Sequence, residues 1–134
     1  MRVLALDYGS ARCGCALSDP TGTIATPIET VLRPSTKRGF ARLGELVREH
    51  HVERVVVGLP LSLQGRDTEQ TRETRRFAQE LQRRLHGIPL ELHDERFTTR
   101  LAQRTPGARS AGAGEDARAA AHLLQSWLAA HGER

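Results

Sequence analysis

The segment from Arg2 to Gly9 constrains the fold more than any other: Val3, Leu4, Ala5 and Leu6 form an apolar run that stops abruptly at Asp7-Tyr8-Gly9. An unbroken run of this kind is the pattern of a short strand buried on both faces. A lone carboxylate is costly to bury, whereas at a strand terminus an Asp projects into a solvated crevice where a metal or a polar substrate can meet it. Asp and Gly also favour turns, so a plain turn is the competing reading of this tripeptide.

At 134 residues the chain is the size of one ordinary domain, able to bury a core without disulfides or structural metal, so a single domain over 1–134 is expected. After Gly9, Ser10-Ala11-Arg12 leads to a second strand at Gly14-Cys15-Ala16-Leu17, closed by Ser18-Asp19-Pro20, and the pair reads as a hairpin. Ile24 to Val31 is a third extended run, and Pro27 places it at a sheet edge. From a cap at Ser35 or Thr36, the spacing of Phe40, Leu43, Leu46 and Val47 predicts a helix up to His51. Val52 to Leu59, with Val55-Val56-Val57, predicts a strand covered on both faces.

The polar segment Leu61 to Gln70 reads as a loop, and Thr71 to His86 as a helix with Phe77, Ala78, Leu81 and Leu85 on one face. Arg72 and Arg76 lie on another face of that helix, which is either a solvated surface or a phosphate-binding rim. Pro89 to Asp94 predicts a fifth strand that runs straight into Asp94-Glu95-Arg96. Thr98-Thr99 reads as the cap of a short helix through Arg104. The stretch 105–114, rich in Gly, Ala, Pro and Ser, is expected to be a flexible loop within the domain. Glu115-Asp116 opens a last helix with Ala119, Ala120, Leu123, Leu124, Trp127 and Leu128 as its apolar stripe; capping through the helix dipole is the competing role of Asp116.

Cys13 and Cys15 fall on one face of a strand, which disfavours a disulfide between them, and no further cysteine or paired Cys/His cluster supplies a zinc site. They read as reduced core thiols. Neither a secretory signal nor a long apolar run is expected, which points to the cytoplasm and away from membranes. The net charge of +4 is carried mostly by arginine, suited to bidentate phosphate contacts. The few aromatics form no stacking ladder of the kind that single-strand binding modules use.

Asp7 after the first strand, Glu95 after the fifth and Asp116 on the final helix are thus acids in similar places. Carboxylates held together repel, and a hard divalent cation such as magnesium relieves that repulsion. Two such ions about 4 Å apart activate a water and stabilise the leaving oxygen in phosphodiester hydrolysis.

Four motifs, in order, carry a resemblance. Asp7-Tyr8-Gly9 with Arg12 and Gly14, Val57-Gly58-Leu59-Pro60, Asp94-Glu95-Arg96 with Thr98-Thr99, and Asp116 with Ala119-Ala120 and Leu123-Leu124-Gln125 resemble the YqgF family, also called RuvX. That family is associated with maturation of the 16S rRNA 5′ end and was once described as Holliday-junction resolvase-like. The resemblance runs from Arg2 to about Leu128. It implies an RNase H-like α/β fold, a five-stranded mixed sheet flanked by helices, and an endonuclease acting on structured RNA with Mg2+ or Mn2+. It further implies Asp7, Glu95 and Asp116 as catalytic metal ligands, Arg12 and Arg96 as phosphate contacts, and precursor rRNA or a ribosomal subunit precursor as partner.

Successive strand residues face opposite sides, so only one of Asp94 and Glu95 can easily face the metals, which speaks against a direct role for Asp94 and leaves open whether it joins the site. Ala111 to Gly114 departs from the family in being neutral, and Glu115 in standing where an apolar residue is usual, which leaves open whether Glu115 joins the site. Two other functions remain: a non-catalytic RNA-binding assembly factor that uses the arginine face, and a resolvase of branched DNA.

Overall fold

Alternation along the first strand, β1 (Val3–Tyr8), divides the molecule into two layers. In the computed structural model, which describes residues 1–98 and 113–131, Leu4, Leu6 and Tyr8 face one layer, and Val3 and Ala5 the other. β1 pairs antiparallel with β2 (Arg12–Ser18) and parallel with β4 (Arg54–Leu59). β3 (Ala25–Leu32) adds to the outer side of β2, and β5 (Leu90–Asp94) pairs parallel with β4, giving the order β3-β2-β1-β4-β5. β1, β4 and β5 run in one direction, so their carboxyl ends lie along the same edge of the sheet. The expected five-stranded mixed sheet is present.

Helices α1 (Lys37–Glu49) and α2 (Glu69–Arg84) cover the first layer, where Phe40, Leu43, Leu46, Phe77 and Leu81 pack on Leu4, Leu6, Val55 and Val57. The long helix α3 (Ala113–His131) covers the second, laying Ala120, Leu123, Leu124 and Trp127 on Val3, Ala5, Ala16 and Val56. Val55 and Val57 therefore point one way and Val56 the other, as a doubly covered strand requires. Cys13 and Cys15 are free thiols, both buried in the α1/α2 layer.

Several boundaries differ from the sequence expectation. α2 begins earlier than Thr71, because Thr68 caps it: Thr71 N donates to Thr68 Oγ1 at 3.2 Å and Thr68 N donates back to Thr71 Oγ1 at 2.9 Å. This reciprocal box uses a threonine where Glu or Gln is the usual signal. β3 is an edge strand, as Pro27 implied, and a bulge opposite Cys15/Ala16 takes up the irregularity at the proline. After β5 comes a 3-10 turn, Glu95–Phe97. Thr98 ends that turn; the rest of the expected short helix, 99–104, and the loop up to position 112 fall outside the described residues, while 113 and 114 belong to α3. Among the described residues no helix is long and apolar enough to cross a membrane.

Candidate nuclease site

Asp7 is the last β1 residue on the side of α3, by alternation from Val3 and Ala5. Its neighbours in the sheet are glycines. Gly14 is its partner across the antiparallel ladder, and the parallel register Leu6↔Val57 puts Gly58 one step further on the other side. A side chain on either glycine would collide with a neighbour as it now stands, fixed backbone at Gly14 and a movable carboxylate at Gly58. A β-carbon on Gly14 would lie 1.9 Å from the backbone oxygen of Asp116, and one on Gly58 would lie 2.6 Å from Glu95 Oε2. The first turns of α3 and the Glu95 side chain thus rest on bare sheet backbone on either side of Asp7. Asp7, Glu95 and Asp116 share one face and one edge of the sheet.

Glu95 follows β5 directly, and the residues around it are held from two sides. Asp94 caps the 3-10 turn by accepting from Arg96 N at 2.9 Å. On the α3 side, His93 Nε2 lies 3.0 Å from Ser126 Oγ, which donates to the Phe97 carbonyl at 3.2 Å. Because that hydroxyl proton goes to Phe97, the serine oxygen accepts from His93. Burial, then the nearby His131, lowers the His93 pKa, which favours the neutral ring. From the next residue of α3, Trp127 Nε1 donates to Glu91 Oε2 at 2.8 Å, tying the same two elements together.

The Asp94 carboxylate is engaged elsewhere. It is gripped by Arg96, with Nε 3.1 Å from Oδ1 and the second terminal nitrogen 2.7 Å from Oδ2, and that guanidinium lowers its pKa. Arg96 also donates to Leu63 O at 3.3 Å and lies over Gly65, so it fastens the β4–α2 loop to the end of β5.

Arg12 stands beside the site: its Nε is 2.8 Å from Asp116 Oδ2, in an ion pair. That carboxylate oxygen is buried, and the Arg12 guanidinium balances its charge. Arg72 and Arg76 belong to the other layer, because α2 packs on the face of Leu4, Leu6 and Tyr8. Arg72 pairs with Glu69 at 3.2 Å, and Arg76 borders a small cleft with Tyr8, Ser35 and Glu73. The sheet separates them from the three acids.

Sequence reasoning gave Gly14 and Gly58 no role of their own and passed over Ser126. The signal for the glycines was their place inside strands, where a missing side chain marks close approach of another group. Ser126 gave none, since its partners are remote in sequence.

The donors are hard oxygens, yet among the described residues no three His, Cys, Asp or Glu side chains stand close enough together to hold a metal ion by themselves. Magnesium seldom asks for such a cage: it keeps waters and takes one or two carboxylates plus phosphate oxygens. Acids with hard oxygen donors flanking one strand end fit that mode of binding.

A mixed sheet ordered 3-2-1-4-5 with helices on both faces is the architecture of the RNase H-like fold. The fold matches T. thermophilus RuvC in complex with Holliday junction substrate, with a TM-score of 0.63 at 19% identity over 97% of this chain and 94% of that one. A second Thermus thermophilus RuvC structure gives 0.58 at 16% identity over 98% and 97%. Residues 1–130 match the family model described as RuvX: Holliday junction resolvase, and the chain belongs to that family. Relatives named "Putative pre-16S rRNA nuclease" include one from Mycobacteroides abscessus, 43% identical over 95% of this chain and 80% of its own length. Another, from Mycobacterium leprae (strain TN), is 43% identical over 95% of this chain and 72% of its own length.

Proposed function

We propose that this protein is a divalent-cation-dependent endonuclease that hydrolyses phosphodiester bonds of structured RNA, with the 5′ end of precursor 16S rRNA as its substrate. The observation that carries the reading is the pair of glycine seats, which bring Glu95 and the start of α3 against the sheet on either side of Asp7. Membership of the RuvX family and the names of the relatives support it. As an enzyme of rRNA it would work in the cytoplasm.

Asp7, Glu95 and Asp116 would hold magnesium or manganese, which when bound supplies a Lewis acid for the attacking water and for the leaving oxygen. The chain's own residues do the rest. Gly58 lets Glu95 lie flat against β4, so its carboxylate stays near the strand end. Arg12 balances Asp116 and, being half exposed, is placed to meet a phosphate oxygen as well. Arg96 reaches substrate only by leaving Asp94. Arg72 and Arg76, behind the sheet, would grip backbone phosphates of a more distant part of a large RNA. Glu115 sits beside Asp116 in the first turn of α3 and is half-buried, at the rim of the site.

The description of the family model favours branched DNA as a second reading, since the same acids would cut either polymer. A cleavage assay with purified protein on a precursor 16S fragment and on a four-way DNA junction, each with magnesium, manganese or chelator, tests both. Metal-dependent cutting of the rRNA fragment is the expected result. Cutting of the junction alone would make it a resolvase, and binding without cutting under any metal would make it an assembly factor.

A further inference from the structure

The chain has three phenylalanines, one tyrosine and one tryptophan. Tyr8, Phe40, Phe77 and Trp127 are each 7% exposed or less, whereas Phe97 is 68% exposed. This ring stands in the 3-10 turn directly after β5, two residues beyond Glu95. It is not a loose side chain on a loose loop. Its backbone carbonyl is held by Ser126 of α3 at 3.2 Å, and the ring meets His93 edge to face at a centroid distance of 6.3 Å.

Phe97 forms one wall of an open cleft of about 520 Å³ between the end of the edge strand β5 and α3. The other walls include His93, His122, Gln125, Ser126 and Ala129. Among the described residues no Asp, Glu, Lys or Arg lines it. Gln125 is exposed and His122 half-buried, so both hold polar groups at the mouth. An aromatic face with a carboxamide and an imidazole beside it, each able to donate and to accept, suits a flat heteroaromatic ring with donors and acceptors on its edge. A lipid or an aliphatic peptide side chain would leave those polar groups unmatched.

We propose that this cleft takes one unpaired nucleobase of the RNA, stacked on Phe97 and contacted at its edge by Gln125 and His122, next to the phosphate handled at Glu95. The inference rests on the nuclease reading above and narrows its substrate to RNA with a single-stranded or bulged nucleotide at the cut. A base already paired and stacked within a helix cannot enter. Stacking tolerates any base, so the cleft selects for an unpaired state more strongly than for sequence.

The test uses the full chain with calcium in place of magnesium and a short RNA hairpin carrying 2-aminopurine at a single bulged position, with the fully paired hairpin as control. Parental protein is expected to quench the 2-aminopurine fluorescence. Phe97→Ala should abolish the quench and weaken binding of the bulged hairpin about tenfold, without changing affinity for the paired one. Phe97→Trp should keep both. Because the ring is exposed, Phe97→Ala is expected to leave the melting temperature unchanged, and Gln125→Ala gives an independent partial loss. Equal quenching and affinity in the parent and Phe97→Ala, no quench in the parent, or a Phe97→Ala defect that proves in sedimentation to be loss of self-association would overturn the inference. Cleavage is not part of the readout. A protein that stacks the base but never cuts would retain this inference while removing the nuclease reading, and a nuclease indifferent to Phe97 would do the reverse.

Discussion

A β-carbon on Gly14 would lie 1.9 Å from the backbone oxygen of Asp116, so the residue opposite Asp7 in the β1–β2 ladder is also the floor on which α3 rests. Gly58 plays the corresponding part on the other side, but what it meets is the Glu95 side chain. The difference between backbone and side chain decides how each position responds to substitution.

Gly14→Ala must push α3 off the sheet and should destabilise the protein by about 1–3 kcal/mol, the usual range for overpacking a filled interior. Gly58→Ala meets a flexible carboxylate that can swing aside, so it should cost little stability and most of the cleavage rate. Thermal denaturation and a cleavage assay on both variants check the pair. Equal loss of stability in the two would contradict this view of Gly58.

The strands were legible in the sequence because apolar runs ended in turn residues or acids, and Asp7 and Glu95 stood out as acids directly after such runs. Pro27 likewise marked β3 as an edge. What could not be read was anything fixed by groups remote in the chain. The Ser126 hydroxyl bridges His93 and Phe97, and no spacing rule announces such a contact. Arg96, a phosphate contact by resemblance, is already engaged by Asp94, and the α2 arginines lie behind the sheet because helix faces reveal what is apolar but not which side of a sheet receives them.

Arg42 on α1 holds Glu29 on β3 with two contacts of 2.7 Å, and this pair lowers the Glu29 pKa below its ordinary value of 4.5. A carboxylate with a depressed folded pKa stabilises the fold fully above its unfolded pKa and loses that contribution as pH falls through the folded one. Both side chains are about a third exposed, so the pair contributes only about 0.5–1 kcal/mol. Urea denaturation should show Arg42→Ala less stable than the parent by that amount at pH 7, with the difference shrinking toward zero as pH drops below the ordinary glutamate range.

Cys13 and Cys15 are fully buried, and hydrogen bonding with Cys15 together with burial pushes the Cys13 thiol well above its ordinary pKa. The thiolate is the reactive form. Native protein should therefore react with a thiol reagent at pH 8 only as fast as it unfolds, and Cys13→Ala should lower stability while leaving the cleavage rate of the folded fraction intact. Rapid labelling of native protein would show the thiols to be accessible.

Replacing Arg72 and Arg76 by Ala should weaken RNA binding and flatten its salt dependence, by about one unit in the slope of log affinity against log salt for each phosphate no longer neutralised. Turnover of bound RNA should stay unchanged, because the sheet stands between these residues and Asp7. Binding measured at several salt concentrations, beside single-turnover cleavage, separates the two effects.

The most direct test of the central claim is Asp7→Asn, assayed for cleavage of a precursor 16S fragment and for RNA affinity while magnesium is titrated. Removing one negative charge weakens cation binding but lessens repulsion of phosphate, so cleavage should vanish while affinity holds or rises. Cleavage at the parental rate in magnesium would contradict the assignment of Asp7 and the site built around it.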